Sequence, residues 1–101
     1  SPNEHIRSLP RLGFEVRISS VTSDGLDSGW VGRQLGVADV EELIGISSKF
    51  RFNADGEGGE YETLVLASPH MKKRIILDGK ISWQRGRGSW NISSGRLSSN
   101  R

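Results

Sequence analysis

The chain has 101 residues, a net charge of +2, no cysteine and two histidines. That length makes one domain, or part of one, with a modest core. It excludes a disulfide framework and a thiolate metal site, and no apolar run approaches the roughly 20 residues of a membrane span. The sole methionine is Met71 and the chain opens Ser1-Pro2, which reads as the C-terminal portion of something longer. No signal-peptide pattern is present, so the Asn91-Ile92-Ser93 sequon reads as accidental and the expected compartment is cytoplasmic. Charge is unevenly spread. Residues 1–70 hold six Lys/Arg against eleven Asp/Glu, and residues 71–101 hold eight against one. Such asymmetry points to an anionic contact for the basic end, or to a basic face packed near the acidic one.

Asn3 to Leu12 reads as a short helix with Asn3 as its cap and Gly13 at the position past its end. Phe14, Val16 and Ile18 alternate with Glu15, Arg17 and Ser19, the pattern of a half-buried strand. Val21 to Ser28 is a polar loop. Trp30-Val31-Gly32-Arg33 follows, with Trp30 read first as a core plug. Asp39 is placed as the cap of a second helix carrying Val40, Leu43 and Ile44 and running to about Phe50, with Glu42 completing a capping-box pattern.

The run Gly56-Glu57-Gly58-Gly59-Glu60-Tyr61-Glu62-Thr63 comes next and leads into Leu64-Val65-Leu66. Three carboxylates and three glycines crowd the entrance of a strand over Tyr61–Leu66. Glycine lets backbone approach a ligand closely, and carboxylates there can hold a cation or move protons. The plain alternative is an acidic turn before a core strand. Period-2 geometry puts Glu60, Glu62, Leu64 and Leu66 on one face, and Tyr61, Thr63 and Val65 on the other.

Asp78-Gly79 lies between two apolar runs and predicts a two-residue hairpin turn. Arg85-Gly86-Arg87-Gly88 predicts a second turn, with Trp83 and Trp90 pairing across it. Residues 93–101 read as a disordered tail. The fold class is α+β: a small, mostly antiparallel or mixed sheet with two to three helices. Gly56–Tyr61 lacks the last glycine of a dinucleotide fingerprint, and no glycine loop ends in Lys-Ser or Lys-Thr. On its residues alone, this segment is not a self-sufficient enzyme.

The stretch from Gly56 to Leu66, followed by Pro69 and Lys72-Lys73-Arg74-Ile75, resembles the signature of the diphthine–ammonia ligase family, the N-type ATP pyrophosphatases of diphthamide synthesis. Gly25-Leu26-Asp27 and Trp30-Val31-Gly32-Arg33 resemble a second family block at the expected distance upstream. The two blocks span residues 25–75. Departures occur at Asp55, where many members carry cysteine, and at Ala67, where the family tends to carry aspartate. His70 and Met71 replace a bulky apolar pair.

The resemblance implies a division into a connecting helix (1–13) from an absent N-terminal ATP-binding domain, a substrate-side domain (14–92) and a tail (93–101). It implies ATP with Mg on that upstream domain. It also implies elongation factor 2 carrying diphthine and ammonium as partners; the apolar runs give no reason to expect a membrane partner, and the acidic first 70 residues argue against nucleic acid. Diphthine is quaternary and ammonium is a cation. Glu57 and Glu60 are therefore candidate catalytic groups. Glu62, Tyr61, Gly58, Gly59, Trp30 and Arg33 are candidate substrate contacts. Tyr61 or Trp30 would add a cation–π face worth ~1–2 kcal/mol if desolvated. The competing reading is a small basic nucleic-acid-binding module using Arg85, Arg87 and Trp90.

Overall fold

Ser1 and Pro2, not Asn3, start the first helix. In the computed structural model, which describes residues 1–99, α1 spans Pro2–Arg11 and the Ser1 hydroxyl accepts the Glu4 N–H at 3.3 Å. Pro2 suits the first turn because its fixed φ is helical and its missing N–H has no partner there anyway. Gly13 adopts φ +86° and ends the helix as expected. Ile6 is the buried residue of α1.

Strand β1 (Glu15–Val21) is the hub of the sheet. The sheet has four strands in the order β2-β1-β4-β3, with every pairing antiparallel. Along its other edge β1 is also bonded by the segment after Trp30. Gly32 N donates to Ile18 O at 2.7 Å, Ile18 N to Arg33 O at 3.0 Å and Leu35 N to Val16 O at 2.8 Å. The register with β2 (Tyr61–Ala67) slips between Ile18 and Ser20. Ser19 is the extra residue of a bulge, and the buried positions of β1 shift from Val16 and Ile18 to Val21.

The second helix, α2 (Val37–Phe50), starts two residues before Asp39, with Gly36 rather than Asp39 as its cap. Asp39 sits inside the first turn, and its Oδ2 accepts the Gly36 N–H at 2.9 Å. A glycine cap brings no side-chain oxygen, so the sequence gives the cap away less readily than the acid that reaches back to it. Val40 and Leu43 face the core with Val16, Ile18, Trp30 and Tyr61. Arg7 and Glu41 clasp α1 to α2 through two bonds of 2.8 and 2.9 Å.

Strands β3 (Lys73–Gln84) and β4 (Arg87–Ser99) form one long hairpin. Asp78-Gly79 does not turn. The ladder runs straight through it, with a register slip beside Ser93 on the partner strand. Gly79 is needed for close approach instead: a Cβ there would lie 2.5 Å from Asn91 O and 2.9 Å from Trp90 Nε1. The turn is Arg85-Gly86, with φ +55° and +75°, the two positive values that a primed hairpin turn requires. Trp90 consequently pairs with Ile81, and Trp83 with Gly88, so the tryptophans are diagonal neighbours rather than a direct pair.

Residues 93–99, expected as disordered tail, continue β4 opposite Lys73–Asp78. Their Ser- and Gly-rich composition is outweighed by pairing with six residues of β3. The last two positions of the expected tail lie outside the described residues. The α+β expectation holds. Among the described residues no helix is long and apolar enough to cross a membrane.

Candidate functional site

The glycines of Gly56-Glu57-Gly58-Gly59-Glu60-Tyr61 make room for this chain's own side chains. Gly56 adopts φ +72°, and a Cβ on it would sit 2.9 Å from the Tyr61 ring. A Cβ on Gly58 would fall 2.2 Å from Glu60 Oε2, so the Glu60 carboxylate lies folded over the bare backbone at Gly58. Asp55 Oδ1 accepts the Glu57 N–H at 3.1 Å, and Gly59 N donates to Gly56 O at 2.9 Å. Thr22, at the end of β1, pins the loop from outside. Its N–H donates to Glu60 O at 2.9 Å and its hydroxyl to Gly59 O at 2.8 Å. Sequence reading did not single out Thr22; a lone threonine after a strand carries no signal of its distant partner.

Glu60 is the distinctive group of this loop. Its Oε1 is buried and accepts no hydrogen bond. Buried polar atoms without a partner are rare in folded proteins and are candidates for a functional role. Glu57 and Glu62 are exposed, and Glu62 lies opposite Ser20 on β2. Among the described residues no three acidic, histidine or cysteine side chains group as a metal ion would need. The loop therefore presents one sheltered carboxylate flanked by two solvated ones, rather than a three-ligand cluster.

Tyr61 is not an open aromatic face. It is 3 % exposed, and its hydroxyl donates to Ala54 O. Burial holds the phenol well above its ordinary pKa, and the nearby charges of Asp55 and Glu60 push the same way. Trp30 is likewise 3 % exposed, and the Arg33 guanidinium lies over its ring at 3.9 Å. Arg33 is held by two carboxylates: Nε donates to Asp39 Oδ1 at 2.7 Å and Nη2 to Glu42 Oε2 at 2.8 Å. Trp30 and Arg33 thus fasten the loop after β1 to the start of α2, and neither aromatic offers a face to an outside cation. The same holds against a base-stacking module, because Trp90 is 9 % exposed beneath Arg17.

The state of Tyr61 is directly measurable, since it is the one tyrosine in the chain. A folded pKa above the unfolded value means that its contribution is fully present below about pH 10. That contribution is lost as pH rises further, by up to about 1.4 kcal/mol per pH unit. Tyrosinate absorbance should stay absent in folded protein at pH 11 and appear on adding urea. Ordinary titration in the folded chain would contradict this burial.

A small α+β domain with a sheltered carboxylate on a glycine loop defines the class. Comparison with known proteins gives the family. Residues 1–97 match the model of the diphthamide synthase C-terminal domain, and the chain belongs to that family. It is 41 % identical to the diphthine–ammonia ligase of Schizosaccharomyces pombe over 69 residues, covering 67 % of this chain and 11 % of that protein. Against the diphthine–ammonia ligases of Rattus norvegicus and Homo sapiens it is 36 % identical over 74 residues, covering 72 % of this chain and 27 % of each of them. The chain thus spans about a quarter or less of the length of these relatives.

Proposed function

We propose that this chain is the substrate-side portion of an ATP-dependent diphthine–ammonia ligase. In this reading the parent protein amidates diphthine on elongation factor 2 to diphthamide in the cytoplasm, releasing AMP and pyrophosphate. The observation that carries the reading is the unpartnered Oε1 of Glu60, inside the acidic glycine loop that resembles the family signature. Ammonium brings N–H donors that an unpartnered carboxylate oxygen can accept. Transfer of one proton to Glu60 would then free ammonia to attack an activated carboxyl. Glu57 and Glu62, solvated on either side, would raise the local concentration of a cation, while Gly58 leaves the carboxylate uncovered by a side chain. ATP and Mg are assigned to an upstream domain, since no glycine loop here ends in Lys-Ser or Lys-Thr.

The test uses the full-length parent with diphthine-bearing elongation factor 2, Mg-ATP and ammonium. Expected are AMP release and a substrate mass lowered by about one dalton, as an amide NH₂ replaces a carboxyl OH. Absence of both, with the factor's diphthine verified beforehand, overturns the reading.

A further inference from the structure

Two arginines in this domain lie on tryptophan rings, and they differ in one respect. Arg33, over Trp30, spends its guanidinium on Asp39 and Glu42. Arg17, over Trp90 at 4.2 Å, donates only Nε, to Gly32 O at 2.7 Å. Among the described residues its two terminal nitrogens have no hydrogen-bond or ion-pair partner. Arg17 lines a cleft of about 590 Å³ between the loop after β1 and the hairpin, together with Val31, Arg33, Leu77, Asp78, Ile81 and Trp90. No residue of the acidic loop lines this cleft. Asp78 also lines the cleft, and no ion pair joins it to Arg17 within the described residues. A guanidinium whose ring contact and Nε bond fix its plane, with two unpartnered donors beside a recess of mixed polar and apolar lining, has the geometry for bidentate capture of an oxyanion. The volume falls in the range of small-molecule sites.

We propose that this cleft is a second ligand site, separate from the Glu60 loop, which takes an organic anion. Arg17 Nη1 and Nη2 grip a carboxylate or phosphate, and the Val31, Leu77 and Ile81 side chains cover the ligand's apolar or planar body. A purely structural arginine in this position would carry a carboxylate on its terminal nitrogens, as Arg33 does on Nη2. The inference rests on the cleft alone and stands whether or not the amidation reading holds.

The test is nuclear magnetic resonance on the 101-residue chain at fixed ionic strength, following the Arg17 Nε–H and Trp90 indole N–H signals. One arm titrates benzoate, another phenyl phosphate, and a third chloride. Saturable shifts of both signals with benzoate assign the site to carboxylates. Saturable shifts with phenyl phosphate assign it to phosphate monoesters, and the tighter of the two names the natural class. Arg17→Gln should weaken that binding by at least about tenfold, the factor expected from losing one charge-assisted pair. Because Arg17 also supports Gly32, Ile81→Glu provides a second variant. Ile81 is 54 % exposed, so the fold is kept while a negative charge enters the cleft wall, and binding should fall by a similar factor. No saturable shift with either probe, or shifts no larger than with chloride, overturns the proposal. Binding unchanged in both variants overturns it as well.

Discussion

On the proposed amidation reading, Glu60→Gln is expected to reduce diphthamide formation by the full-length parent by about 10²-fold or more, the usual contribution of a positioned acid–base group. The substitution keeps size and shape and removes the charge. Stability should hold or rise slightly, because Oε1 has no hydrogen bond to lose and a sheltered, unpartnered carboxylate oxygen opposes folding. A loss of activity with stability kept is the signature of a group held at a folding cost for its chemistry. Glu57→Gln and Glu62→Gln are the comparisons. Both side chains are solvated, so each should act only through local charge and reduce activity by less than Glu60→Gln. Urea midpoints taken alongside the assay separate the two effects. Full activity in Glu60→Gln, with folding intact, would make the loop a plain acidic turn.

Gly56→Ala should destabilise the domain by about 2–5 kcal/mol, a large share of the roughly 5–15 kcal/mol typical of a domain. Two terms add. Left-handed backbone costs an alanine roughly 1–2 kcal/mol, and the new Cβ meets the Tyr61 ring at 2.9 Å, an overpacking of roughly 1–3 kcal/mol. Gly59→Ala isolates the first term. Gly59 adopts φ +85° with nothing within 4 Å of its would-be Cβ, so it should cost only the roughly 1–2 kcal/mol of backbone strain. Equal shifts in the two variants would show that the Tyr61 contact contributes nothing.

Much of the fold was legible in the sequence, and the misses have identifiable causes. Alternation in residues 14–18 located β1, the apolar spacing of Val40 and Leu43 located α2, and the run after Glu60 located β2. Asp78-Gly79 misled because a turn-forming pair and a close backbone approach both call for glycine, and only the partner strand decides between them. Arg85-Gly86 is the weaker turn signal by composition yet carries both positive φ values. The tail misled for the converse reason, since strand propensity is overridden by pairing with β3.

At the site, the loop itself was legible, but the roles inside it were not. Glycine next to glutamate reads as an open approach for a ligand. In the fold, Gly56 and Gly58 accommodate Tyr61 and Glu60 of the same chain. Tyr61 and Trp30 read equally well as ligand platforms until their burial is known. Asp55 supplies an oxygen to the Glu57 N–H and so shapes the turn from within. Arg17 was legible only as the polar side of a strand, because its partners Gly32 and Trp90 lie 15 and 73 positions away.

The clamp that Thr22 and Tyr61 place on the acidic loop bears on the thermodynamics of whatever binds there. Its backbone is tied to β1 by Thr22 and to the core by the Tyr61 hydroxyl on Ala54 O. The conformational entropy of the loop is therefore surrendered when the chain folds, not when a ligand arrives. A cation reaching Glu60 meets a preorganised host, and a small loop-ordering penalty leaves more of the contact energy available as affinity or for the reaction step.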